Sequence, residues 1–127
     1  MDSRYRLDGK VAVVTGCASG VGESVAKLFT ERGSKVLAVD INADGLESAM
    51  EGVKNVVAMP QDVTDSNAAE NIIDAALQNF GQVDILINTA GRVIYSEVHE
   101  LTDEIWNMHF DLNVSGAMRL CQELFRN

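Results

Sequence analysis

Proline, cysteine and tryptophan are scarce in this chain. Its 127 residues include 1 proline, 2 cysteines and 1 tryptophan, and aromatic residues make up 6%. So little cysteine excludes a disulfide-held scaffold and fits a protein of the reducing cytoplasm. Basic residues are also few: 10 Lys and Arg stand against 19 Asp and Glu, for a net charge of −9. A surface of that sign repels phosphate backbones and anionic membranes, so neither nucleic acid nor a membrane is an expected partner. No apolar run approaches the ~20 residues of a membrane-spanning helix. The opening MDSRYRLDGK has no apolar stretch of the signal-peptide kind. His99 and His109 have no Cys or acidic partners at ligand spacing, so no metal site is expected. With no repeat, linker or low-complexity tract, residues 1–127 read as one domain.

What is present alternates. Runs of strand length, KVAVVT (10–15), KVLAV (35–39), VVAM (56–59) and DILIN (84–88), are nearly continuous in apolar residues. Strands buried on both faces read this way, which predicts a parallel sheet with helices on both sides and right-handed crossovers. Helical period fills the gaps. Val21, Val25, Leu28 and Phe29 form one stripe, ended by Gly33. A second helix starts after Asn42 as N-cap and carries Leu46 and Met50. A third spans 65–80, with Ile72, Ile73, Ala76, Leu77 and Phe80 on one side and Gly81 after it. The fourth starts near Thr102, with Asp103 and Glu104 suiting the positive end of its dipole, and runs through the last residues.

The first strand leads straight into TGCASGVG, which sets Gly16, Gly20 and Gly22 between a strand and a helix. A helix N-terminus offers free N–H groups and partial positive charge, and glycines let a phosphate approach closely. The GxxxGxG spacing departs from the common GxGxxG fingerprint, so a purely structural turn stays open on this stretch alone. The second strand ends KVLAVD, which places Asp40 18 positions after Gly22. A carboxylate at about that distance accepts from the ribose hydroxyls of NAD and repels the 2′-phosphate of NADP. No basic residue stands in the glycine turn, where Ser19 fills the slot, and this too favours NAD. The alternative reading of Asp40 is an N-cap or turn former ahead of Asn42.

Gln61-Asp62-Val63 follows the third strand and Asn88-Thr89-Ala90-Gly91 the fourth. Polar or glycine-containing turns thus follow all four strands on the edge where open α/β sheets bind ligands. Asp62 suits either an adenine amino group or the first turn of the next helix. Asn88, Ala90 and Gly91 suit the adenosine and the tying of strand ends. Cys17 reads as a thiol activated by a helix N-terminus or as a small residue filling its place.

These residues together resemble the short-chain dehydrogenase/reductase family. The family's TGxxxGxG is similar to Thr15–Gly22, its acidic residue to Asp40, its Asp-Val pair to Asp62-Val63 and its NNAG motif to Asn88–Gly91, with Thr89 replacing the second Asn. Its helix Asn, in a D-x-N context, is similar to Asn113. The resemblance implies a Rossmann-like, doubly wound sheet of about four strands in the order 3-2-1-4. It implies NAD, preferred over NADP, held by Gly16, Ser19, Gly20, Val21 and Gly22, by Asp40 and Ile41, by Asp62 and Val63, and by Asn88, Ala90 and Gly91. Hydride transfer between an alcohol and a carbonyl is the implied reaction. The family performs it with a Tyr base, a Lys that lowers the pKa of that Tyr, a Ser and the helix Asn.

Only Asn113 of that group is found. Tyr95 opens YSEVH, so His99 and not Lys lies four residues on, and no Lys follows Lys54. The resemblance therefore implies the dinucleotide-binding half of such an enzyme, without its usual hydride transfer when alone. A working oxidoreductase completed by assembly and an interaction domain that has lost its ligand are the alternatives. The fourth strand would be a sheet edge with no Lys or Pro to guard it. The last helix, with Ile105, Trp106, Met108, Phe110, Met118, Leu124 and Phe125, is apolar on more than one face. A homodimer or larger homo-oligomer through these two elements is expected.

Overall fold

The computed structural model describes residues 2–127. Its single sheet has four parallel strands, β1 (Val11–Thr15), β2 (Lys35–Asp40), β3 (Val56–Pro60) and β4 (Ile85–Asn88), in the spatial order β3-β2-β1-β4. The register aligns Val57, Leu37, Val13 and Leu86 in one row across the sheet, and Ala58, Ala38, Val14 and Ile87 in the next. Successive rows face opposite layers, because strand side chains alternate. On one side α1 (Gly20–Glu31) and α2 (Ala43–Met50) pack over Ala12, Val14, Val36 and Ala38 through Ala26, Leu46 and Met50. On the other, α3 (Ala68–Phe80) and the last helix pack over Val13, Leu37 and Val39 through Ile72, Ala76 and Leu120.

Burial on both faces holds for the two central strands. β1 is wholly buried, but β3 and β4 are only partly covered, since an edge strand has a neighbour on one side alone. The helix ends follow their caps. Asn42 Oδ1 accepts from Gly45 N–H at 3.0 Å, Thr102 Oγ1 accepts from Ile105 N–H at 3.2 Å, and Gly81 closes α3 at φ +81°. α3 begins later than the 65–80 pattern suggested. Residues 62–67 are spent on turns in which Asp65 N–H donates to the Asp62 carbonyl and Ala68 N–H to the Asp65 carbonyl.

Two helical expectations need correction. In α1, Val25 and Phe29 pack on the core, but Val21 and Leu28 are exposed, and Gly22 and Ala26 are the buried residues. The helix lies too close to the sheet for a large side chain at its first contact. The last helix is also not uniform. α4 (Asp103–Phe110) passes into a π-helical stretch at Asp111–Ser115 and then into α5 (Gly116–Arg126). Within the π turn Asn113 meets the loop after β4, and just beyond it Gly116 passes the β3–α3 turn, where a Cβ would meet the Val63 carbonyl oxygen at 3.2 Å.

Candidate functional site

The strands end level, so the segments that follow them share one edge. A cavity of about 590 Å³ opens there. Its floor is knitted from strand ends: Cys17 N–H donates to the Val39 carbonyl at 3.0 Å, and Gln61 N–H to the Asp40 carbonyl at 3.0 Å. Buried Thr15 joins β1 to β4, its Oγ1 accepting from Thr89 N–H at 3.2 Å and Ala90 N–H at 3.1 Å. Thr89 Oγ1 returns a short hydrogen bond to the Thr15 carbonyl. The hydroxyl at position 89 thus serves the strand junction.

The three glycines of the turn have three different duties. Gly16, at φ +75°, lies against the segment after β4, where a Cβ would come within 2.9 Å of Ala90 N. Gly22 is packed harder still: a Cβ there would stand 2.1 Å from the Gly16 carbonyl oxygen and 2.6 Å from Thr89 Oγ1. Gly20, at φ +58°, faces open space with nothing within 4 Å of a Cβ. Beside it α1 starts at N-cap Ser19 without a side-chain capping bond. Its first N–H groups are left to whatever occupies the cavity.

Asp40 closes the β2 end. Its Oδ2 accepts from Ala18 N–H at 3.0 Å and its Oδ1 from Asn42 N–H at 2.9 Å. Asp40 therefore both lines the cavity and forms the turn, and each oxygen keeps further acceptor capacity. Asp62 behaves similarly. Its Oδ1 accepts from Thr64 N–H at 2.9 Å and Thr64 Oγ1 at 2.7 Å, and among the described residues its Oδ2 has no partner.

Every dinucleotide contact expected from the sequence lines this cavity except Asn88. Asn88 shares the parity of Leu86, so it faces the α5 layer, where its amide donates to Cys121 Sγ at 3.7 Å. Asn113 also lies outside the lining. It acts on the loop after β4: Arg92 N–H donates to Asn113 Oδ1 at 3.0 Å, and Asn113 Nδ2–H donates to the Arg92 carbonyl at 2.9 Å. One helical turn earlier, His109 Nε2 accepts from Ile94 N–H at 2.9 Å, with Nδ1 2.7 Å from the Ile105 carbonyl. Thr64, Arg92, Met108 and Leu112 line the cavity without having been picked from the sequence. Arg92 directly follows the NTAG stretch and is the one cation among the lining residues.

Cys17 is not an activated thiol. It is fully buried, its Sγ donates to the Val14 carbonyl at 3.0 Å, and burial pushes its pKa up to about 12. An unfolded thiol titrates near 8.5. Above that pH the unfolded chain loses a proton that the native chain retains. Stability is therefore expected to fall from about pH 9 toward 12. Urea unfolding of wild type and Cys17→Ala across this range checks it: the variant should show a shallower alkaline decline.

Among the described residues no group of His, Cys, Asp and Glu is placed to hold a metal ion, and no helix is long and apolar enough to cross a membrane. The cavity offers uncapped N–H donors at a helix start, open space beside Gly20, and the carboxylates of Asp40 and Asp62 with acceptor capacity to spare.

The family model described as short chain dehydrogenase matches residues 10–127. D-threitol dehydrogenase of Mycolicibacterium smegmatis is 37% identical over 128 residues, covering 96% of this chain and 48% of the relative. The 2,3-dihydro-2,3-dihydroxybenzoate dehydrogenase of Bacillus subtilis is 37% identical over 115 residues, covering 87% and 44%. A 3-ketoacyl-(acyl-carrier-protein) reductase from Brucella melitensis, solved in complex with NADH, superposes with a TM-score of 0.88 at 31% identity, over 94% of this chain and 50% of that one. A short-chain dehydrogenase/reductase of the glucose/ribitol dehydrogenase type from the same organism reaches 0.92 at 23% identity, over 96% and 53%, a likeness of fold. The chain spans about half the length of the relatives it matches.

Proposed function

The chain belongs to the short-chain dehydrogenase family, and from that premise we propose that it binds NAD(H) in the cavity at the strand ends, in preference to NADP(H). The observation that carries this reading is the start of α1, without a side-chain cap, beside the open space at Gly20. The N–H groups of Gly20, Val21 and Gly22 donate to the pyrophosphate. Asp40, with Ile41 beside it, accepts from the adenosine ribose, and Asp62 with Val63 receives the adenine. Thr89, Ala90 and Gly91 line the far wall, and Asn88 is left to brace β4 against α5.

The cofactor, when bound, supplies the hydride acceptor or donor. The residues of this chain bind and orient it, and Asn113 holds the loop over the far wall through Arg92. The family's oxidoreductase chemistry needs an acid/base that residues 1–127 do not carry in the family's form. We accordingly assign binding without turnover to these residues alone. Calorimetry with NAD, NADH and NADP, beside a screen for NADH oxidation with carbonyl substrates, tests both parts. Binding of NAD(H) without oxidation is expected; absence of binding at millimolar NAD overturns the reading.

Association of copies belongs to the same proposal. Trp106, Phe110, Val114 and Met118 recur every four residues and are each about half exposed, and the Trp106 and Phe110 rings lie 4.9 Å apart. β4 is an edge strand. A second copy covering this stripe would remove contiguous apolar surface from water. Light scattering at micromolar concentration should return a dimer or larger; a monomer contradicts it.

A further inference from the structure

We propose that Arg92 is a specificity-determining residue that recognises an anionic oxygen group, phosphate or carboxylate, at the β4 end of the cavity. Along the sheet order, the cavity runs from Asp62 after β3, past Asp40 after β2 and the glycine turn after β1, to Arg92 after β4. Two carboxylates thus stand toward one end and one guanidinium at the other. In a chain of net charge −9 this asymmetry orients a ligand whose anionic part lies away from its sugar hydroxyls.

Arg92 is available for the task. Among the described residues its side chain has no salt bridge and no hydrogen bond, whereas Arg4, Arg6 and Arg126 are each paired with a carboxylate. Its backbone, in contrast, is held firmly. Asn113 takes both its N–H and its carbonyl, and His109 takes the N–H two residues on. Asn113 and His109 lie one helical turn apart, so they grip alternate residues of the loop. With the backbone already fixed, binding a partner orders only the Arg92 side chain and not the loop that carries it. Met108 and Leu112 also line the cavity, and a guanidinium–oxyanion contact there is charge-assisted. A planar guanidinium suits two oxygens of one phosphate or carboxylate.

The inference places the group within the dinucleotide site proposed above and rests on that reading for the ligand's orientation. Its oxygens come either from the pyrophosphate itself or from a second, acidic ligand beside the cofactor. The test uses wild type, Arg92→Gln and Arg92→Lys, after thermal melts verify that Arg92→Gln leaves Tm unchanged, as expected for a side chain without protein partners. Adenosine, ADP-ribose and inorganic pyrophosphate are titrated by calorimetry, and malonate is titrated onto the NADH-loaded chain. If the pyrophosphate is the partner, Arg92→Gln weakens ADP-ribose by about tenfold, leaves adenosine unchanged and flattens the salt dependence. Arg92→Lys recovers part of the loss. If a second ligand is the partner, ADP-ribose is unaffected and malonate binding is lost instead.

Equal affinities of wild type and Arg92→Gln for ADP-ribose, pyrophosphate and malonate overturn the assignment while leaving dinucleotide binding intact. A wild type that binds no NADH but binds pyrophosphate in an Arg92-dependent way overturns the dinucleotide reading and keeps the anion contact. A wild type that binds none of the probes overturns both.

Discussion

Gly22→Ala should lose about 3 kcal/mol or more of stability, whereas Gly20→Ala should lose only about 1 kcal/mol and yet abolish tight NAD binding. The contrast follows from what each new methyl group meets. At Gly22 it would lie 2.1 Å from the Gly16 carbonyl oxygen, a backbone atom fixed by the β1–α1 turn, and 2.6 Å from Thr89 Oγ1, which is engaged with Thr15. Relief requires α1 to move off the sheet, with loss of contacts around Ala26 and Val25. At Gly20 the methyl group meets nothing within 4 Å, so the fold bears only the cost of a left-handed φ of +58° on an L-residue. That open space is where a pyrophosphate must approach the N–H groups. Urea denaturation and NADH titration of both variants separate the effects. Equal stability losses, or a Gly20→Ala variant that binds like wild type, would show that the two glycines do not divide these duties.

Asp40→Ala should lower the preference for NAD over NADP by about tenfold or more, a change of ~1.4 kcal/mol. Alanine removes both the acceptors for the ribose hydroxyls and the charge that repels a 2′-phosphate. The same substitution should cost about 2 kcal/mol of stability, because Oδ2 and Oδ1 also hold Ala18 N–H and Asn42 N–H. Asp40→Asn, which keeps one acceptor oxygen and loses the charge, should recover part of the stability while still losing the preference. The ratio of NAD to NADP affinities, measured by calorimetry at fixed ionic strength, is the readout. An unchanged ratio in both variants would leave Asp40 with its turn duty alone.

The features legible in the sequence are those with local causes. Apolar runs separated by capped, periodic segments specified four parallel strands, and Asn42, Thr102 and Gly81 marked helix ends where they are observed. The glycine spacing and Asp40 brought the right elements to one edge. Less legible were features set by contacts between distant segments. By period Val21 belongs to the core stripe and by motif to the cofactor turn; the close fit of Gly22 on Gly16 leaves Val21 exposed in the cavity wall. The motif around Asn88 suggests a cofactor contact, but its parity with Leu86 aims it at α5. The π stretch at Asp111–Ser115 carries Asn113, which bonds Arg92 21 residues earlier, and nothing in the local pattern encodes that contact. Arg92 carries no signal in the sequence, because an arginine in a loop is usually a solvated surface residue; the fold sets it as the one cation among the cavity-lining residues.

The central claim is that a dinucleotide sits with its pyrophosphate on the start of α1 and its adenosine ribose on Asp40. Heteronuclear NMR of the isotopically labelled chain, titrated with NADH, reads it most directly. The account predicts saturable shifts of the Gly20, Val21 and Gly22 amides, with the Asp40–Ile41 amides moving in step at the same affinity. Saturable binding that leaves these amides in place and instead shifts residues remote from the strand ends would contradict it.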